Sequence, residues 1–180
     1  MLHSHVRALA GMATMVHNSI RRNSRPIVKP MYVADSKRLT HAGARQMMTT
    51  AIAKARDAGI AISCAIADAG GHLIALERMD GERFHTVHSA TTKAVCAASN
   101  KRPTSAQGAQ AQPLDVAHAL GLALAAGAER WTAMEGGFPI IVDGDCIGGI
   151  GVSGGDWATD ERIAQAAVEA IGARWRIDGK

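Results

Sequence analysis

Ile60-Ala61-Ile62-Ser63-Cys64-Ala65-Ile66-Ala67-Asp68-Ala69-Gly70-Gly71-His72 is the stretch that decides the fold. Ile60, Ile62, Cys64 and Ile66 alternate with Ala61, Ser63, Ala65 and Ala67, which predicts a period-two strand with one bulky and one small face. A small face lets a helix or a second subunit approach closely. Asp68-Ala69-Gly70-Gly71 reads as a turn and His72 to Met79 resumes a strand, so residues 60–79 read as a β-hairpin.

Outward from the hairpin, the flanks carry helix signals. Upstream, Thr40 is a plausible N-cap, Met47, Met48, Ala51, Ile52 and Ala55 form an apolar stripe, and Gly59 is a stop. Downstream, Phe84, Val87, Thr91, Ala94, Val95 and Ala98 share one face of a helix that Pro103 stops. Pro113 can open a Leu/Ala-rich helix over Leu114 to Ala126, closed by Gly127. A second hairpin follows, with Phe138 to Val142 and Cys146 to Val152 joined at Asp143-Gly144. Gly149 and Gly151 fall on one face of its second strand, and glycine inside a strand is costly unless something must approach the backbone. A last helix starts near Asp156 or Thr159 and carries Ile163, Ala167, Ala170 and Ile171. Hairpins in place of β-α-β crossovers imply an α+β domain, an antiparallel sheet covered by helices.

The chain has 180 residues, 47% of them hydrophobic and 20% charged, which suits one soluble domain. No run of 18 apolar residues occurs, so no membrane-spanning helix is expected. Aromatics make up 3%, which argues against stacking platforms for single-stranded nucleic acid. The net charge of +4 comes from residues 1–30, where Arg7, Arg21, Arg22, Arg25 and Lys29 face no acid. Residues 31–180 are nearly neutral, so no nucleic-acid partner is expected. Residues 1–30 read as a basic, disordered extension and 31–180 as the domain. Cys64, Cys96 and Cys146 lack C-x-x-C spacing and read as small hydrophobes in a reducing, cytoplasmic compartment.

Several residues carry candidate chemistry. Gly148 to Gly155 is not a G-x-G-x-x-G within a β-α-β unit and holds no P-loop; it is a strand end whose N–H groups, at Gly151, Ser153 and Gly154, can hold a carboxylate or phosphate. A tight strand-to-helix connection explains the same glycines. His85 and His88 share a helix face, either as a solvated surface or as ligand contacts or a general base. No neighbouring ligand completes a zinc set, so no metal is expected. Lys93 between Ala and Val neighbours is an anion clamp or base, or a snorkelling lysine. Glu135 before Gly136-Gly137 can point into a crevice, and Arg78 can pair with Asp80 or bind a carboxylate. The cysteines lack an obvious activating partner, which disfavours nucleophilic hydrolysis through a thiol.

Ala67-Asp68-Ala69-Gly70-Gly71-His72-Leu73, Glu77-Arg78-Met79-Asp80-Gly81, Lys93-Ala94 and Lys101-Arg102-Pro103-Thr104-Ser105 together resemble the GlcG/HbpS family, the haem-degrading domain family. Gly136-Gly137-Phe138-Pro139-Ile140, Ile147 to Gly155 and Asp160-Glu161 extend the resemblance over roughly Leu39 to Ala173. It implies a five-stranded antiparallel sheet flanked by helices, profilin-like, in a homo-oligomer that is often an octamer. It also implies a small-molecule ligand. In haem-binding relatives a threonine in the segment resembling Pro103-Thr104-Ser105 contacts haem, which points to Thr104 here. The sequence departs from the family pattern at His85/His88, Glu129 to Glu135 and Gln112 to His118, which are more polar than the family norm.

Three functions follow as expectations. One is haem binding, with His85, His88 or His118 as axial ligand. Another is a small catabolic enzyme acting on an unsaturated organic acid by tautomerisation, deamination or hydrolytic dehalogenation. His85, His88, Lys93 and Glu135 are the candidate catalytic residues, and Arg78, Thr104, Gly136, Gly137, Gly151, Ser153 and Gly154 the candidate ligand-binding residues. The third is a non-catalytic oligomeric scaffold. The chemical assignment expects residues 85–93, 131–137 and 148–155 to meet on the rim of one concavity.

Overall fold

The computed structural model describes residue 32 and residues 34–176, so the expectation for residues 1–30 lies outside the described residues. The chain divides into Met1–Asp35 and Ser36–Lys180, and every element below belongs to the second unit. In order these are α1 (His41–Asp57), β1 (Ser63–Asp68), β2 (Leu73–Arg78), α2 (Thr86–Asn100), α3 (Val116–Ala126), β3 (Gly137–Val142), β4 (Asp145–Ser153) and α4 (Trp157–Glu169). The strands form one antiparallel sheet in the order β2-β1-β4-β3.

Register makes the alternation in β1 a property of the whole sheet. Cys64 pairs with Val152 and Ile66 with Ile150, while Ala65 pairs with Gly151 and Ala67 with Gly149. Phe138 pairs with Ile150, and Gly137 with Gly151. One face therefore carries Cys64, Ile66, Phe138, Ile150 and Val152, buried with Met47 and Ala51 of α1 and Ile163 and Ala167 of α4. The other face is almost bare backbone. There Ala65 and Ala67 cluster with Ala90 and Ala94 of α2. A Cβ on Gly149 would collide with the Ala94 carbonyl oxygen, and one on Gly151 with that of Ala90. Glycine at these two positions is what lets α2 lie directly on the strands.

Helix boundaries follow the capping chemistry. The Thr40 hydroxyl accepts from the Gly43 N–H at 3.1 Å, the Asp115 carboxylate from His118 N–H at 2.8 Å, and the Asp156 carboxylate from Thr159 N–H at 2.7 Å. Gly127, in positive φ, closes α3 as expected.

The structure corrects the sequence reading in three places. The sheet has four strands among the described residues, not five; beyond β3 stands only a bridge between Ile141 and Arg174. Helix α2 begins at Thr86, leaving Phe84 outside it and 78% exposed. The start is fixed by the Thr86 hydroxyl, which donates to Arg83 O at 2.6 Å and lies 2.9 Å from the Ser63 hydroxyl of β1. Pro113 precedes α3 without opening it, because Asp115 takes the cap.

Helix α3 itself packs on no other element of the described fold. None of its eleven residues is buried, and Val116, Leu120 and Leu124 are 85%, 57% and 72% exposed.

Contrasting glycine substitutions test this packing. Gly151→Ala is expected to lower unfolding free energy by about 3 kcal/mol, because helix and strand must separate to admit a methyl group. Gly121→Ala in α3, with nothing within 4 Å of the new Cβ, should instead raise it by up to about 1 kcal/mol through helix propensity. Chemical denaturation of the two variants beside wild type measures both effects.

Candidate functional site

Lys93 projects from the sheet-facing side of α2 at the level of Gly137 and Gly151. Its ammonium donates to Val152 O at 2.7 Å and to Asp160 Oδ2 at 3.2 Å. Asp160 lies in the first turn of α4, and its other oxygen accepts from Gly155 N–H at 2.9 Å. Lys93 and Asp160 are 4% and 3% exposed, so this is a buried ion pair joining the helices on opposite faces of the sheet. Burial pushes the Lys93 ammonium below its ordinary range, against the pull of Asp160 and Glu135. Burial likewise raises the Asp160 carboxyl, against Lys93 and the N–H groups of Gly155 and Gly154. In both groups desolvation is the largest influence.

Gly136 and Gly137 close over this pair. A Cβ on Gly136 would sit 3.1 Å from Lys93 Nζ and 2.9 Å from Val152 O. Gly137 is gripped by Thr104, whose N–H donates to Gly137 O at 2.9 Å and whose hydroxyl accepts from Gly137 N–H at 2.9 Å. Glu135, half-buried beside them, favours the charged form of Lys93 and disfavours that of Glu161. Desolvation is the larger cause of the upward shift at Glu161. The result is a polar knot of one cation and three acids at the end of the sheet.

The fold thus brings together Lys93, Thr104, Glu135, Gly136, Gly137 and Gly151. The following segment is packed as well, with Ser153 paired to Ser63 and Gly154 O accepting from Arg83 at 3.4 Å. Other expected residues stand apart. His85 and His88 are exposed at the start of α2, with the His85 ring edge-on to Phe84 at 5.9 Å. Arg78 is exposed at the end of edge strand β2 and pairs with neither Asp80 nor another acid among the described residues. His118 is exposed on α3.

Sequence reasoning assigned no role to Asp160. Its only local signal is an acid in a first helical turn, which ordinarily serves the helix dipole. Nothing in the sequence links it to a lysine 67 positions earlier.

Comparison with known proteins follows the same architecture. Residues 39–169 match the family described as Haem degrading protein HbpS-like. An uncharacterized 15.0 kDa protein of the dhaT-dhaS intergenic region of Citrobacter freundii is 30% identical over 133 residues, 74% of this chain and 92% of the relative. The solved structure of Klebsiella pneumoniae protein ORFY superposes with a TM-score of 0.69 at 28% identity, over 80% of this chain and 98% of that one. A structure of a PduOC:Heme complex superposes with a TM-score of 0.67 at 26% identity, over 78% and 99%.

Two expectations test the buried pair. Lys93→Met should destabilise by about 3–5 kcal/mol, by stranding the Asp160 carboxylate, while Lys93→Met/Asp160→Leu should recover most of that loss. Because Asp160 is held above its ordinary 3.8, folding takes up its proton. Relative to Asp160→Asn, wild type should therefore gain stability as pH falls from neutral toward that value, with no further gain below it. Denaturant melts across that range read both.

Proposed function

The chain belongs to the HbpS-like haem-degrading protein family, and from that premise we propose that it binds haem against α3, in a pocket completed by a second copy of the chain. The observation that carries this reading is α3 itself. Val116-Ala117-His118-Ala119-Leu120-Gly121-Leu122-Ala123-Leu124-Ala125-Ala126 is apolar around its whole circumference, buries no residue, and holds a single imidazole. A helix of that composition is stable in water only when something covers it.

The residues fit the group. A haem site needs an apolar wall and one or two axial ligands, since the porphyrin supplies the remaining nitrogens. Helical spacing places Val116, Leu120 and Leu124 on one stripe, suited to a second copy. His118, Gly121 and Ala125 fall on the opposite side, where Gly121 has open space around it and leaves room for a flat ring beside the imidazole. Bound haem would supply redox-active iron, and His118 would supply an axial nitrogen. The PduOC:Heme complex among the structural relatives supports the same ligand class.

Thr104, the residue to which the family resemblance points, is 2% exposed and has its hydroxyl oxygen on Gly137 N–H. His118 is therefore the better-placed ligand. The acid–base reading has less support, because Lys93 commits two donors to Val152 O and Asp160. His85 and His88 stay exposed, more than two turns and about one and a half turns before Lys93.

Titration of wild-type protein with haemin should shift and saturate the Soret band at near-stoichiometric ratios. His118→Ala should weaken binding by about tenfold or more, as loss of an iron–imidazole bond requires, whereas His85→Ala and His88→Ala should not. No Soret shift in wild type would remove the proposal, and an unchanged His118→Ala titration would remove the ligand.

A further inference from the structure

A hollow of about 640 Å³ opens between the β1–β2 turn, the C-terminal half of α2 and the segment after α3. It shares no residue with the polar knot at Lys93 or with the His118 face of α3. We propose that this hollow binds a small planar monocarboxylate, held at its charged end by Arg130 and Ser99 and along its flat body by Trp131 and Val95.

The lining is rich in uncommitted donors. The side chains of Ser99, Arg130 and Trp131 make no hydrogen bond or ion pair among the described residues. His72 is the fourth donor group. The Asp68 carboxylate fixes the turn by accepting from Gly70 N–H at 2.8 Å and His72 N–H at 2.9 Å, and lies 3.3 Å from His72 Nδ1. That leaves Nε2 as the ring nitrogen available to a ligand. Gly70 and Gly71 bring no side chain to this wall, so the space stays open.

Several donors around one hollow call for an acceptor, and a guanidinium fork matches a carboxylate best. Val95, Ala126 and the Trp131 ring provide the apolar surface against which an unsaturated or aromatic body can lie. Glu129 also lines the hollow and sets the charge limit. A monoanion can be held by Arg130 while keeping clear of Glu129, whereas a doubly charged phosphate meets repulsion from it.

Calorimetric titration with sodium benzoate, and separately with inorganic phosphate at the same ionic strength, tests this on the full chain. Wild type should bind benzoate and give no comparable signal with phosphate. Arg130→Gln should weaken benzoate binding by about tenfold or more, as loss of a charge-assisted pair requires. Ser99→Phe should abolish binding by filling the hollow, while its melting temperature stays at the wild-type value because Ser99 is exposed. Absence of benzoate binding would overturn the proposal. So would benzoate affinity unchanged in Arg130→Gln or Ser99→Phe, or phosphate binding as strong as benzoate. Haemin titration of Arg130→Gln separates the two sites, since its Soret response should match wild type even where benzoate binding is lost.

Discussion

Backbone-to-backbone approach between α2 and the strands governs this molecule. Gly149 and Gly151 carry no side chain where Ala94 and Ala90 present their carbonyls, and Ala65 and Ala67 add only methyl groups to the contact. Glycine weakens a strand and alanine offers little apolar area, so this layer is held by close packing over bare backbone. The opposite layer works differently, through branched and aromatic side chains against α1 and α4. Two unlike layers share one sheet, and one strand alternation encodes both.

The polar knot is a consequence of that approach. With α2 seated so low, Lys93 reaches past Gly136 and Gly137 to the carbonyl of Val152 and to Asp160 on α4. Thr104 then locks Gly137 from outside with two backbone-directed hydrogen bonds. Lysine and aspartate are both shifted by burial away from their charged forms. The pair therefore acts as a strict positional tie between the two helical layers, one that tolerates removal of both members better than of either. What the fold leaves over is α3, which packs on no other element among the described residues.

Much of this architecture could be read locally. The bulky-small alternation in β1, the Asp143-Gly144 turn, and the caps at Thr40 and Asp156 are decided by neighbours within a few residues, and each lies where the pattern puts it. The expected fifth strand came from resemblance, and the pairing beyond β3 is reduced to one bridge. The apolar character of Phe84 fits the helical period of α2, while the hydroxyls of Ser63 and Thr86 set the actual start two residues later. The candidate site was harder still. Lys93, Thr104, Glu135 and Gly136 could be singled out as residue types, but their meeting depends on how α2 crosses the sheet. His85, His88 and Arg78 carry the same kind of local signal and stay exposed. Long-range geometry separates the two groups, and no period or spacing encodes it.

The claim that binding is built on surfaces one chain leaves open stands or falls on what covers α3. Native mass spectrometry of wild-type protein beside Leu120→Asp/Leu124→Asp addresses it directly. Wild type is expected to form an assembly of several chains, and the variant single chains, since charge on that stripe cannot be buried against a second copy. Single wild-type chains, or an assembly that survives both aspartates intact, would contradict it.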